Sequence, residues 1–318
     1  VLGRLATRTD RMGQVNRYHY DAESRLTRLE RADGSSSIGY DAVGRVQRID
    51  DTASGGSSLS YEYDNADRVV KETQSAGAGT NVVAYEYDAL DRRIRRTVNG
   101  TEATTYIWDK ADRLIGMTYA GQTTSYAYDA AGRLITKTLP NGIKQTHSFD
   151  NASRLLSIAY AQPDATVIEV ISYEYDANGR RTSKTSSSNS TAQETGFTAS
   201  YDAADRMTAV TLKGTGVGGA DETCTLNYDN NGNLVTKSCG VNVTTYTWDA
   251  QNRLTGIGGP GVSASFGYDA LGRRVTRTLN GVTTSYVYDG AQAIAETKAG
   301  INATLLTGLQ IDEAIGRY

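Results

Sequence analysis

The 318-residue sequence contains only two cysteines, two histidines, two tryptophans and three prolines. Each scarcity excludes something. His19 and His147 are far apart and each alternates with an aromatic, so both read as ordinary strand residues rather than a metal centre or a general base. Cys224 and Cys239 are fifteen residues apart with no companion His or Cys, which is not metal-ligand spacing. No apolar run approaches the 18 residues a membrane helix needs. Lys plus Arg total 33 against 36 Asp plus Glu. The net charge of −3 lacks the basic excess of a non-specific nucleic-acid binder. The chain begins with Val1 and shows no signal peptide, so the expectation is a fragment or processed piece, whose missing signal says nothing about secretion. What the chain does have is 21 Tyr and 33 Gly. Tyr favours strands and Gly favours turns, the composition of many short strands.

An internal repeat organises the sequence. Aromatic-Asp pairs occur at Tyr20, Tyr40, Tyr63, Tyr87, Trp108, Tyr128, Phe149, Tyr175, Tyr201, Tyr228, Trp248, Tyr268 and Tyr288, spaced 20 to 27 residues apart. The unit is aromatic-Asp-x-x-Gly-Arg-apolar, as in Tyr40-Asp41-Ala42-Val43-Gly44-Arg45-Val46. Its Asp can accept hydrogen bonds from the turn backbone. Three residues later the chain must turn left-handed, which Gly, Asn and Asp tolerate best. Gly fills this slot at 44, 132, 179, 232 and 272, Asp at 67, 91, 112 and 205, and Asn at 252. Ser24, Ser153 and Gln292 fit it less well. The motif therefore predicts a three-residue hairpin loop, a type I turn with a bulge. Leu2-Gly3-Arg4-Leu5 reads as the second half of another copy.

A second aromatic precedes the motif aromatic by two residues in nine copies, as at Tyr18, Tyr126 and Phe266. That spacing puts both on one strand face. Arg follows Asp by four residues in eleven copies, which places the two directly across the hairpin as a cross-strand pair. Asn233 and Ala293 depart from the pattern. The structural motif residues are represented by Tyr40, Asp41, Gly44 and Arg45, by Tyr128, Asp129, Gly132 and Arg133, and by Tyr268, Asp269, Gly272 and Arg273. A lone hairpin is marginal in water, so the hairpins must join into a longer sheet. The polar stretches 54–57, 76–79, 186–195 and 213–222 read as loops at the far ends of hairpins. Counting outward from the 230–232 turn places Cys224 opposite Ser238 and Cys239 on the other face, so a disulfide requires a shift of register.

The motif, as in Tyr128-Asp129-Ala130-Ala131-Gly132-Arg133-Leu134, resembles the YD repeat of Rhs proteins, of the C component of bacterial insecticidal toxin complexes and of teneurins. The resemblance covers essentially the whole chain. It implies an all-β fold in which residues 1–318 form one array of antiparallel hairpins, a long curved or spiralling sheet that is part of a shell. Residues 304–318 look like the start of the Rhs core end. The Asp-Pro motifs tied to self-cleavage in that family are absent, since none of Pro140, Pro163 and Pro260 follows an Asp. The resemblance implies encapsulation of a C-terminal toxin region of the same polypeptide or operon. Delivery-apparatus or cell-surface components would be further partners, and the location would be secreted or on a bacterial cell surface. The alternative is an extracellular carbohydrate-binding or adhesion module.

Other motifs have structural explanations. Gly214 to Gly219 matches G-x-G-x-x-G, but a strand rather than a helix follows it, so no dinucleotide site is expected. Asp229 to Asn233 resembles half a calcium loop but lacks the spaced acidic ligands and distal Glu. An enzyme needs one built site, not thirteen copies of a turn. The expectation is therefore no catalysis, no cofactor and no metal.

Overall fold

The structure is a computed structural model. It describes residues 3–77, 79–101, 103–175, 177–179, 181–188, 197–204, 206–212, 220–307 and 314–317. Among these there are 29 strands, and the only helical piece is a single 3₁₀ turn, Ala53–Gly55. Hydrogen bonding joins the strands into a 17-stranded and a 12-stranded sheet. The first ends at strand Arg181–Ser188 and the second begins at Phe197–Tyr201. By compactness the chain divides into two units, 1–82 with 194–318, and 83–193.

Strand alternation follows the aromatic spacing. In Val15–Tyr20, Tyr18 and Tyr20 are half-buried while His19 between them is exposed. In Gly79–Tyr87 the corresponding Glu86 is exposed and Tyr85 is buried. One face of each strand is therefore the covered face, where Leu59, Val83, Met117 and Ile294 are almost completely excluded from solvent. The exposed face carries Ser and Thr pairs across strands, such as Thr118 with Thr123 and Thr278 with Thr283, both at 2.8 Å.

All thirteen motif hairpins carry a bulge at one position, immediately before the motif aromatic. Tyr40 pairs with Val46, yet Gly39 pairs with Arg48, so Gln47 is extra. An inserted residue of this kind raises the local twist. It also moves every pair beyond it by one. That corrects the expected register at the cysteines. Tyr228 pairs with Leu234 and Asn227 with Thr236, which brings Cys224 opposite Cys239. The two are joined in a disulfide.

The left-handed slot behaves as expected at Gly44, Gly132, Gly179, Gly232 and Gly272, and at Asp67, Asp91, Asp112 and Asn252. Ser24 and Ser153 adopt it as well, with φ of 70° and 61°. Asp205 lies outside the described residues. Gln292 is a correction. There Asp289 pairs with Gln292 across a two-residue turn, and Gly290 takes the positive φ. The far-end loops are also shorter than expected. Ser57, Ala76, Gly79 and Ser186 to Ser188 lie in strands, because the long partners Ser57–Tyr63, Val69–Ala76 and Val167–Tyr175 template pairing up to their ends. The remainder of 186–195 and most of 213–222 lie outside the described residues, as does 308–313 of the core-end-like segment. Ala314–Arg317 of that segment pairs as a strand with Ile301–Thr307.

Candidate functional site

In the described copies the motif residues have definite partners, as at Tyr40 to Arg45. Asp41 Oδ1 accepts from the backbone N–H of Val43 (3.1 Å) and of Arg45 (2.8 Å), and Oδ2 accepts from Arg45 Nε (2.6 Å). The backbone closes the same loop, with Gly44 N–H donating to Asp41 O at 3.0 Å. Asp129 with Arg133 and Asp269 with Arg273 repeat this geometry, and each Arg Nε lies 2.6 Å from its carboxylate. At Asp41 burial acts upward on the carboxyl, but the Arg45 side chain and the turn N–H groups outweigh it and hold the group below its ordinary range. At Asp129 the Arg133 backbone N–H acts first and the result is again downward.

The sequence reading assigned Arg to the cross-strand pair alone. The structure gives it a second task, directed at the next copy. Arg133 Nη1 donates to Asp150 O (3.1 Å), Arg253 Nη1 to Asp269 O (3.3 Å) and Arg273 Nη1 to Gly290 O (2.9 Å). The same guanidinium covers the aromatic ring of the next copy. Arg25 lies 4.6 Å from the Tyr40 centroid, Arg45 4.4 Å from Tyr63, Arg113 5.0 Å from Tyr128 and Arg253 4.8 Å from Tyr268. The aromatic answers in the opposite direction. Tyr40 donates its hydroxyl proton to Leu26 O (2.9 Å), Tyr128 to Leu114 O (2.8 Å) and Tyr268 to Leu254 O (2.7 Å). The two tryptophans do the same through Nε1, Trp108 to Arg93 O and Trp248 to Leu234 O. Trp and Tyr share an apolar body with a polar tip, which is why both serve in this slot. Arg4 stacks on Tyr20 and bonds Asp21 O, so it does for the first copy what each motif Arg does for the next. Asn233 replaces Arg with its amide, donating to Asp229 Oδ2 (2.9 Å) and to Asn252 Oδ1 of the next turn (2.8 Å).

A second feature was not visible in the sequence. Within the first unit, motif turns of the second sheet meet the far ends of first-sheet hairpins, with partners 201 to 221 residues apart. Asn231 Nδ2 donates to Asp10 Oδ2 (2.9 Å), and Met12 N–H donates to Asn231 Oδ1 (3.1 Å). Ala250 N–H donates to Asp33 (3.3 Å). Beside it Arg31 is buried, held by Ser36 and Asp51 at 2.7 Å each. A Cβ at Gly34 would fall 2.9 Å from the Ala53 backbone nitrogen, so the close chain approach here needs glycine.

The most buried contact of this joint lies on strand Val69–Ala76. Gln74 Nε2 donates to Tyr288 O (2.6 Å) and Tyr288 N–H donates to Gln74 Oε1 (3.0 Å), so one side-chain amide pairs with the backbone as a strand would. Glu72 Oε1 accepts from Gln74 Nε2 and from Arg273 Nη2, both at 3.0 Å. Arg273 thus bridges two carboxylates, Asp269 and Glu72, whose side chains are 2% and 6% exposed. Burial pushes the Glu72 carboxyl up, and Arg273 only partly offsets this. Burial acts downward on Arg273, but Asp269 and Glu72 outweigh it and raise the guanidinium. Burial, with the Glu72 charge next, pushes Tyr61 up to about 12.

No arrangement for chemistry on a substrate is assembled by the predicted residues. Tyr40, Tyr128 and Tyr268 sit in separate copies, each bonded within the sheet. Glu222, Cys224 and Cys239 lie within 4.8 Å of one another, but the two sulfurs are bonded to each other and offer no thiolate. His19 is 3.5 Å from Glu30 on an exposed strand face.

The turn that recurs along the chain and interlocks with its neighbours defines a YD-repeat array. The Teneurin YD-shell family model matches residues 7–193 and 139–294, and the chain belongs to that family. No curated protein matches the chain. Among solved structures it is similar to the Photorhabdus luminescens Tc holotoxin pore carrying the TccC3-D651A mutation, with 13% identity and a TM-score of 0.43. It is also similar to the TcdB2-TccC3-Cdc42 crystal structure, with 13% identity and a TM-score of 0.44. These likenesses cover 92% of this chain but only 22% and 23% of those chains. No helix among the described residues is long and apolar enough to cross a membrane.

Proposed function

We propose that the chain is a wall segment of an Rhs-type shell that encloses the C-terminal toxin region of its own polypeptide or operon and keeps it from acting until delivery. The mechanism is physical sequestration, with no chemistry performed by the wall itself. The observation that carries this reading is the directed lock between copies. Arg133, Arg253 and Arg273 each tie their own turn to the copy that follows, so hairpins that are marginal alone are fastened into long sheets. A sheet continued in this way exposes few strand edges. The location consistent with such a role is secreted or at a bacterial cell surface.

The alternative, a carbohydrate-binding or adhesion module, draws less support from the motif aromatics. At Tyr63 and Tyr268 the ring lies under the preceding Arg, and the hydroxyl donates to a backbone carbonyl. Expression of the whole open reading frame that contains this chain tests the proposal by protease protection. The region following the repeats should resist digestion while the repeats are folded and become sensitive once they are unfolded. Immediate digestion of that region, or a reading frame with no such region, would refute encapsulation.

A further inference from the structure

At the joint around Glu72, two buried carboxylates share one guanidinium. Asp269 receives Arg273 Nε at 2.6 Å and Glu72 receives Arg273 Nη2 at 3.0 Å. The third donor, Nη1, goes to Gly290 O. One guanidinium therefore faces two carboxylates that are almost fully excluded from water. Two carboxylates sharing one buried cation do not both ionise without cost.

Among the described residues, Arg273 is the one cation bonded to Glu72. On strand Ser57–Tyr63, Tyr61 lies opposite Glu72 and stays neutral up to about pH 12, while Glu62 is exposed and paired with Lys71 at 2.8 Å. Strand Gly79–Tyr87 carries Tyr85, Glu86 and Tyr87 as its ionisable residues and no Lys or Arg. From the second sheet, Arg274 lies over the Tyr286 ring at 5.8 Å and interacts with Tyr288. Glu72 lacks the turn donors of Asp269, which also accepts from the Leu271 and Arg273 backbone N–H groups.

We propose that this joint is a proton-dependent latch, in which Glu72 carries a proton when the two segments are docked in mild acid and its ionisation toward neutral pH loosens the Glu72–Arg273 and Gln74–Tyr288 contacts while the hairpins on either side stay folded. The direction follows from linkage. A carboxyl raised in the docked state contributes stability that is fully present below its ordinary value of 4.5 and is lost as pH rises through the docked value. The turn carboxylates run the other way and keep the hairpins intact above pH 4. The latch is independent of what the wall encloses.

Two measurements on the whole chain test it. A carbon-13 titration of the Glu side chains should show one carboxyl titrating above the ordinary range, and that signal should be missing in Glu72→Gln. Hydrogen exchange at the Tyr288 amide, corrected for intrinsic rates, should be slower at pH 5 than at pH 8. Each unit of pKa displacement corresponds to about a tenfold change in docking. Glu72→Gln, which mimics the protonated acid, should keep the slow exchange at both pH values. Uniform ordinary titration of every Glu in the wild type overturns the latch even if the variant fails to fold. Persistence of the pH dependence in Glu72→Gln overturns it as well.

Discussion

Arg273 occupies the same motif slot as Arg206, yet its removal should be far more damaging. Its side chain is 8% exposed and Arg206 is 40% exposed. Arg206 pairs with Asp202 at a solvent-facing turn, where water readily replaces the lost partner. Arg273→Ala leaves Asp269 and Glu72 buried without their shared cation, and breaking a buried ion pair in this way costs about 3–5 kcal/mol. For a unit of roughly 200 residues each kcal/mol moves the melting temperature by about 2–4 °C, so the drop should be about 10 °C. Thermal and urea unfolding of the two variants, measured in parallel, provide the comparison. A double-mutant cycle at pH 8, where Glu72 is ionised, sharpens it, since Arg273→Ala should cost distinctly less in a Glu72→Gln background, where one stranded charge is gone. Equal losses for Arg206→Ala and Arg273→Ala, or strict additivity with Glu72→Gln, would refute the reasoning.

Gly132→Val places a β-branched residue at φ of 80° and should cost about 1–3 kcal/mol, whereas Gly132→Asn should be nearly neutral, as Asn252 already shows in the same slot. Denaturant midpoints that fail to separate the two substitutions would contradict the turn assignment. Reduction of Cys224–Cys239 opens a link between residues 15 apart and should lower stability by about 3 kcal/mol, read as a midpoint shift with and without reductant. Asp21, Asp41, Asp64, Asp88, Asp109, Asp129, Asp150 and Asp202 are all held below their ordinary 3.8. Their contribution is present above that value and is lost as pH falls through the lower folded values, so circular dichroism should show cooperative acid unfolding below about pH 4. A chain still native at pH 2 would contradict that sign.

Much of the fold was legible because the repeat is local. Tyr, Asp, Gly and Arg fall within six residues of one another, and their turn geometry follows from side-chain and backbone chemistry alone. The aromatic at spacing two fixed the covered face. The bulge before each aromatic was not legible, since it changes no residue type and only adds one to the count on the partner strand. That single residue decided the cysteine pairing. Gln292 misled for a related reason, because Gly290 offered an earlier left-handed position and a shorter turn. The second task of Arg does have a signal in the sequence. Arg with Asp accounts for one edge of the guanidinium, and a residue with five donors seldom stops at one partner. The joint around Glu72, Gln74 and Tyr288 could not be read, because its partners lie more than 200 residues apart and carry no shared pattern.

The directed lock between copies is tested most directly by hydrogen exchange on Arg133→Ala. Arg133 bonds Asp129 in its own turn and reaches Asp150 O and Ser153 Oγ in the next, while Arg113 of the preceding copy reaches Asp129 O. The expected result is faster exchange in the 129–133 and 150–154 turns, with the 109–113 turn unchanged. Loss confined to 129–133, or spread equally to both neighbours, would contradict a wall in which each copy fastens the one that follows.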